Sequence, residues 1–67
     1  MKNNNNVKKI REERLISRTE FAHLAGVSAA TIDRIERGET CRMETKRKII
    51  LALGYTLADK NAVFPNS

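Results

Sequence analysis

The chain has 67 residues, 40% of them hydrophobic, which is enough for one small domain that buries roughly 60% of its unfolded surface. That size leaves little room for a deep catalytic cleft, a cofactor pocket or a lid. Thirteen Lys and Arg against eight Asp and Glu give a net charge of +5 and a pI near 9.9, so an anionic partner is expected, either nucleic acid or a membrane surface.

Residues 1–6 form a polar, low-complexity lead that is expected to be disordered. No apolar stretch follows it, which predicts no signal peptide and a cytoplasmic location. Val7, Ile10 and Arg14 mark one face of a first helix, closed by the apolar bulk of Leu15 and Ile16. Ser17 and Glu20 have the spacing of a capping box. Phe21, Leu24 and Ala25 follow with the i, i+3, i+4 spacing of a buried helix face. Gly26 ends this second helix, and Ser28 caps a third whose apolar stripe is Ile32 and Ile35, stopped by Gly38. After a loop over residues 39–42, a fourth helix carries Met43, Ile49, Ile50, Ala52 and Leu53 up to Gly54. Its apolar run, residues 49–53, is far short of a membrane span. Thr56 and Asp59 resemble a second capping pair opening a fifth helix through Leu57, Ala58, Ala62 and Val63, closed by Pro65. Nothing alternates with period two. The expectation is an all-α domain of five short helices over residues 7–64, with a tail at 65–67.

The informative segment is residues 17–37. Two helices joined by the minimal turn Ala25-Gly26-Val27-Ser28 must cross steeply, as in a helix-turn-helix. Ala22 is small where the helices approach, Gly26 makes the turn, and Ile32 wedges the third helix against the second. Phe21, Val27 and Ile35 are apolar at matching places.

With Arg11 in the first helix, the Ile-x-x-Ile-Glu-x-Gly ending of the third (Ile32, Ile35, Glu36, Gly38) and the Ala-Leu-Gly ending of the fourth, residues 7–53 resemble the phage repressor/Cro-like (XRE) helix-turn-helix family. The resemblance implies a lambda-repressor-like fold, with the helix-turn-helix formed by helices two and three. It also implies that Arg11 and Glu36 form a partly buried ion pair joining helices one and three; read without it, they are two solvated surface charges. The sequence departs from the family pattern at Arg18, where many members have Gln. Leu15 stands where Gly is common, and Lys46 and Arg47 stand where apolar residues are usual.

The second helix of such a pair enters the major groove with its first turns facing base edges. Ser28, Ala29, Ala30, Thr31 and Arg34 are the candidate base contacts. Arg34 is the strongest, because a guanidinium bonds guanine O6 and N7 together. Ala29, Ala30 and the Thr31 methyl suit a thymine methyl, although the alanines also serve simply as helix formers and Ser28 as a cap. Arg18, Arg37, Thr40, Arg42 and Lys46 are the candidate phosphate contacts, in or beside the most basic stretch, residues 42–48. His23 has no companion ligands and Cys41 is a lone thiol, which excludes a disulfide framework and a cysteine-cluster zinc site. No catalytic grouping or phosphate-binding glycine loop occurs, so neither an enzyme nor a cofactor is expected.

Tyr55, Leu57, Val63 and Phe64 either cover the core or form a dimer seam; the family resemblance implies a homodimer through this region on a palindromic operator. The expected function is a sequence-specific double-stranded DNA-binding transcriptional regulator, whether a small repressor, a controller or an antitoxin-like autoregulator. The alternative is a protein-interaction module using the same fold.

Overall fold

The computed structural model describes residues 5–65, which form α1 (Val7–Glu13), α2 (Arg18–Ala25), α3 (Ala29–Glu36), α4 (Met43–Ala52), a 3-10 turn (Leu57–Asp59) and α5 (Lys60–Val63). All regular structure among these residues is helical. Residues 1–4 of the expected lead and 66–67 of the tail lie outside the described residues.

Two helices start as the sequence dictates. The Ser17 and Ser28 side chains accept the backbone N–H groups of Glu20 and Thr31 at 3.0 and 3.1 Å, satisfying donors that a helix start leaves free. The capping box at Ser17 is half made, since no bond returns from the Glu20 side chain to Ser17. At the second expected capping pair the Thr56 hydroxyl donates to the Asp59 carboxylate at 2.9 Å and leaves the helical N–H groups alone. That geometry accompanies a 3-10 turn before α5 in place of one continuous helix.

The ends of α1 to α4 share one solution. A backbone N–H just past each helix donates back across the final turn to a carbonyl: Ile16 to Arg11, Val27 to Ala22, Glu39 to Arg34 and Tyr55 to Ile50, at 3.0–3.2 Å. This pattern requires a left-handed residue just before the donor. Gly26 fills it at φ 72° after α2, and a Cβ there would meet no atom within 4 Å, so the requirement is conformational and not spatial. After α1 the position belongs to Leu15, the one non-glycine with positive φ (57°) among the described residues. Its side chain is 91% exposed, so the expectation that Leu15 closes the first helix with apolar bulk is corrected. Backbone geometry, not packing, governs that position, and only Ile16 turns toward the core.

The core is Val7, Ile10, Phe21, Ala22, Ala25, Ile32, Ile35, Ile49, Ile50, Leu53, Val63 and Phe64. Leu24, expected among these, is 56% exposed, and Met43 at the start of α4 is 84% exposed. The buried stripe of α2 runs through Phe21, Ala22 and Ala25, and Leu24 sits just outside it. On α1 the face runs through Arg11, while Arg14 is exposed with its guanidinium 5.3 Å from the centre of the Tyr55 ring. Val63 and Phe64 are buried within the protomer and Tyr55 is half-buried against its core. Much of the surplus apolar C-terminus therefore covers the core.

Asn5 and Asn6, expected to be disordered, are instead tied down. The Asn5 side chain donates to the Ile35 carbonyl at 2.8 Å and accepts from the Val7 N–H at 3.1 Å. Asn6 donates its backbone N–H to Val63 and its side-chain amide to Ala62, at 2.8 and 3.0 Å. These four bonds hold the start of α1 against α3 and α5.

Two predictions follow from these local geometries. Leu15→Gly removes a left-handed leucine that buries almost nothing, and should raise stability by about 0.5–1 kcal/mol in urea denaturation; an unchanged or lower midpoint contradicts the strain. Cys41 is half-buried against the core, and burial pushes its thiol up, opposed only by the charge of Lys46. It should therefore be alkylated at pH 7.5 more slowly than a cysteine in an unstructured peptide, as followed by mass spectrometry.

Candidate nucleic-acid interface

Two charged side chains lie inside the domain: Arg11 and Glu36 are 7% and 6% exposed. Arg11 Nε donates to Glu36 Oε2 at 2.6 Å and Nη2 to Oε1 at 3.3 Å, while Nη1 donates to the Ile16 carbonyl at 2.8 Å. One guanidinium thus joins α1, the turn after it and the last residue of α3. Solvated surface charges do not describe this pair. Arg18, the first residue of α2, adds a third arm, its Nε donating to Glu36 Oε1 at 2.9 Å. That bond, and then the carboxylate's charge, push the Arg18 guanidinium above its ordinary value. No buried side-chain N or O among the described residues lacks a partner, so the desolvation of Glu36 is answered by charge-assisted bonds on both oxygens.

This cluster fixes the end of α3, while Ile32 and Ile35, almost wholly buried, fix its rotation. The opposite side of α3 is then presented outward. Ala29 and Ala30 are exposed on its first turn. Ser28 Oγ and Thr31 Oγ1 share a hydrogen bond at 2.9 Å, and Arg34 Nη2 donates to Thr31 Oγ1 at 3.4 Å. Spacing of three residues places Ser28, Thr31 and Arg34 in one polar row along the helix. The five candidate base contacts therefore lie together on α3 or at its cap.

The candidate phosphate contacts are less uniform. Arg37, at the end of α3, pairs with Asp33 one turn earlier at 2.9 Å. Thr40 and Arg42 are exposed in the loop before α4, Arg42 at its N-cap. Arg18 shares its guanidinium with Glu36. Lys46 is half-buried, with Nζ 5.6 Å from the centre of the ring of Phe64, the residue that follows α5, within reach of a cation–π contact. Met43, Glu44, Lys46, Arg47, Ile50, Leu57, Lys60 and Phe64 line a groove of about 560 Å³ between α4 and the C-terminal segment. His23 is exposed, and no group of His, Cys, Asp or Glu among the described residues could hold a metal ion.

Sequence reasoning placed Arg18 at a phosphate and missed its bond to Glu36. No local spacing links residues 18 and 36; only the steep crossing of α2 and α3 brings them together. The pairing of Arg37 with Asp33, by contrast, is an i, i+4 pair readable from the chain.

Removing Glu36 leaves Arg11 buried without its counter-charge. Glu36→Ala should cost about 3–5 kcal/mol, most of the stability available to a domain this small, and should show as a large fall in melting temperature by circular dichroism. A change below about 1 kcal/mol would mean that solvent reaches Arg11.

No helix among the described residues is long and apolar enough to cross a membrane. Comparison with curated proteins gives no match. The family described as Helix-turn-helix matches residues 7–60, from the first residue of α1 to the first of α5. That stretch contains the crossed pair α2–α3, the buried Arg11–Glu36 bridge and the polar row on α3, and the chain belongs to this family of DNA-binding regulators, of the phage repressor/Cro-like (XRE) type.

Proposed function

We propose that the protein is a sequence-specific double-stranded DNA-binding transcriptional regulator in the cytoplasm that places α3 in the major groove. The observation that carries this reading is the outward polar row Ser28–Thr31–Arg34 on a helix whose inner face is locked by Ile32, Ile35 and Glu36. Arg34 reads a guanine edge, Ala29, Ala30 and the Thr31 methyl pack on thymine methyls, and Ser28 bonds a base or phosphate while capping the helix. Arg18, Arg37, Thr40, Arg42 and Lys46 meet phosphates and supply the salt-sensitive part of the affinity. The role is that of a small repressor, a controller or an antitoxin-like autoregulator.

Two copies bind a palindromic operator. With Val63 and Phe64 buried in the protomer, the apolar groups left near the C-terminal segment for a homodimer seam are chiefly Met43 and Leu57, at the groove beside α4.

Selection from a random duplex pool at physiological salt tests this directly. The expected result is an enriched palindrome with half-sites about ten base pairs apart. Against that operator, Arg34→Ala should relax preference at one position, a loss of about 1–3 kcal/mol of discrimination. Arg42→Ala should weaken binding to all sequences about equally and lower the salt slope by about 0.9. Wild-type binding by both variants would sink the groove model and leave a protein partner as the reading to pursue.

A further inference from the structure

Neither the Glu36 cluster nor the outward face of α3 uses the groove of about 560 Å³ between α4 and the C-terminal segment. Each wall of that groove is a row with spacings of three and four residues. Met43, Arg47 and Ile50 run along α4, and Leu57, Lys60 and Phe64 run across the 3-10 turn and α5. On both walls an apolar residue stands at either end and a cation between them. Ile50 and Phe64 are buried and form the floor, whereas Met43 and Leu57 are 84% and 46% exposed at the rims. Arg47 and Lys60 are exposed, and neither side chain makes a hydrogen bond or ion pair with any described residue. Glu44 is the one acidic residue among the described residues that line the groove.

An open groove along a helix of ten residues suits another helix, since a small ligand needs walls over most of its surface. A second copy of the chain covers the apolar rims. A twofold axis, however, sets the same patch against itself, so Arg47 and Lys60 of one copy approach those of the other. A DNA backbone answers the cations and leaves Met43, Ile50, Leu57 and Phe64 unfilled. An apolar stripe flanked by carboxylates answers both. Resting on the DNA-binding reading above for its consequence, we propose that this groove docks an acidic amphipathic helix of another protein, which displaces the second copy and releases the palindromic operator. Apolar anchors of that helix fill the floor between Met43 and Leu57, and its carboxylates meet Arg47 and Lys60. Charge complementarity favours it over the second copy, because like charges brought together at an interface disfavour a partner.

The probe is a labelled synthetic helix of about four turns, blocked at both ends, with leucines along one face and glutamate and alanine elsewhere. Its binding to the whole chain is followed by fluorescence anisotropy. It should bind at least about tenfold more tightly than the same peptide with lysine for glutamate. An isomer with its leucines scattered around the helix should be weaker by at least about as much. Arg47→Glu and Lys60→Glu should each weaken the acidic peptide at least about fivefold, and Met43→Asp should do the same through the apolar rim. All three side chains are exposed, so the variants should keep the wild-type circular dichroism. Arg34→Ala should leave peptide binding unchanged. No binding, equal binding of the scattered isomer, or indifference to Arg47 and Lys60 overturns the site. Saturating acidic peptide should also lower affinity for the selected palindrome at least about tenfold while leaving affinity for a single half-site unchanged. Loss on both duplexes puts the peptide on the DNA face and rejects the groove, and no loss on either rejects the displacement. Failure of the DNA-binding reading looks different: no palindrome is then enriched and the release falls with it, while the peptide measurement still decides the groove.

Discussion

The rest of the structure depends on one carboxylate. Glu36 is almost wholly out of water, and a charge in that position is tolerable only if its oxygens are held by cations with good geometry. Arg11 and Arg18 meet that demand from two different helices, one from the last turn of α1 and one from the first residue of α2. Apolar contacts among Ile32, Ile35 and Phe21 bring α3 against α2, but dispersion and burial are non-directional and tolerate small slides. Hydrogen bonds of 2.6–2.9 Å do not. The apolar core therefore sets which face of α3 is inside, and the ion cluster sets where the end of that helix sits.

The two terminal segments show the same division. Val63 and Phe64 supply area to the core, while Asn5 and Asn6 make directional bonds to backbone carbonyls of Ile35, Ala62 and Val63. In a chain of this length the loss of either contribution is felt, since burial alone leaves a small margin. The shared end of α1 to α4 adds rigidity cheaply: each final turn bonds carbonyls of its own helix, and α3 gains one further bond from Asn5 to the Ile35 carbonyl.

What was legible in the sequence was what is local. Serine caps, glycine stops, the minimal turn at Gly26 and the inward stripe of Ile32 and Ile35 are all set within a few residues, and each could be placed from spacing. The row Ser28–Thr31–Arg34 was readable for the same reason. A helical period fixes the direction of a stripe better than its width, so spacing alone does not separate exposed Leu24 from the buried face or identify Arg11 as buried. Leu15 misled differently: its composition says core, while its place after α1 says left-handed turn, and the turn prevails. The side-chain bonds from Asn5 to Ile35 and from Asn6 to Ala62, and the arm from Arg18 to Glu36, span 30, 56 and 18 residues. No pattern along the chain encodes them; they exist only once the helices are packed.

The arginines on and beside α3 differ in how much they must give up to meet DNA, and this orders their proposed roles. Arg37 holds Asp33 at 2.9 Å, a charge-assisted pair whose partner carboxylate would itself face an approaching phosphate or base. Engaging Arg37 means either breaking that pair or bringing Asp33 along. Arg34 holds only the Thr31 hydroxyl at 3.4 Å, longer than a good N–H···O bond, so little is lost when it turns to a guanine edge. Arg18 lies at the other extreme, with one edge committed to Glu36 and the other open. In the proposed reading Arg34 is therefore the reader of a base edge, and Arg37 a lesser contact whose acidic partner screens it.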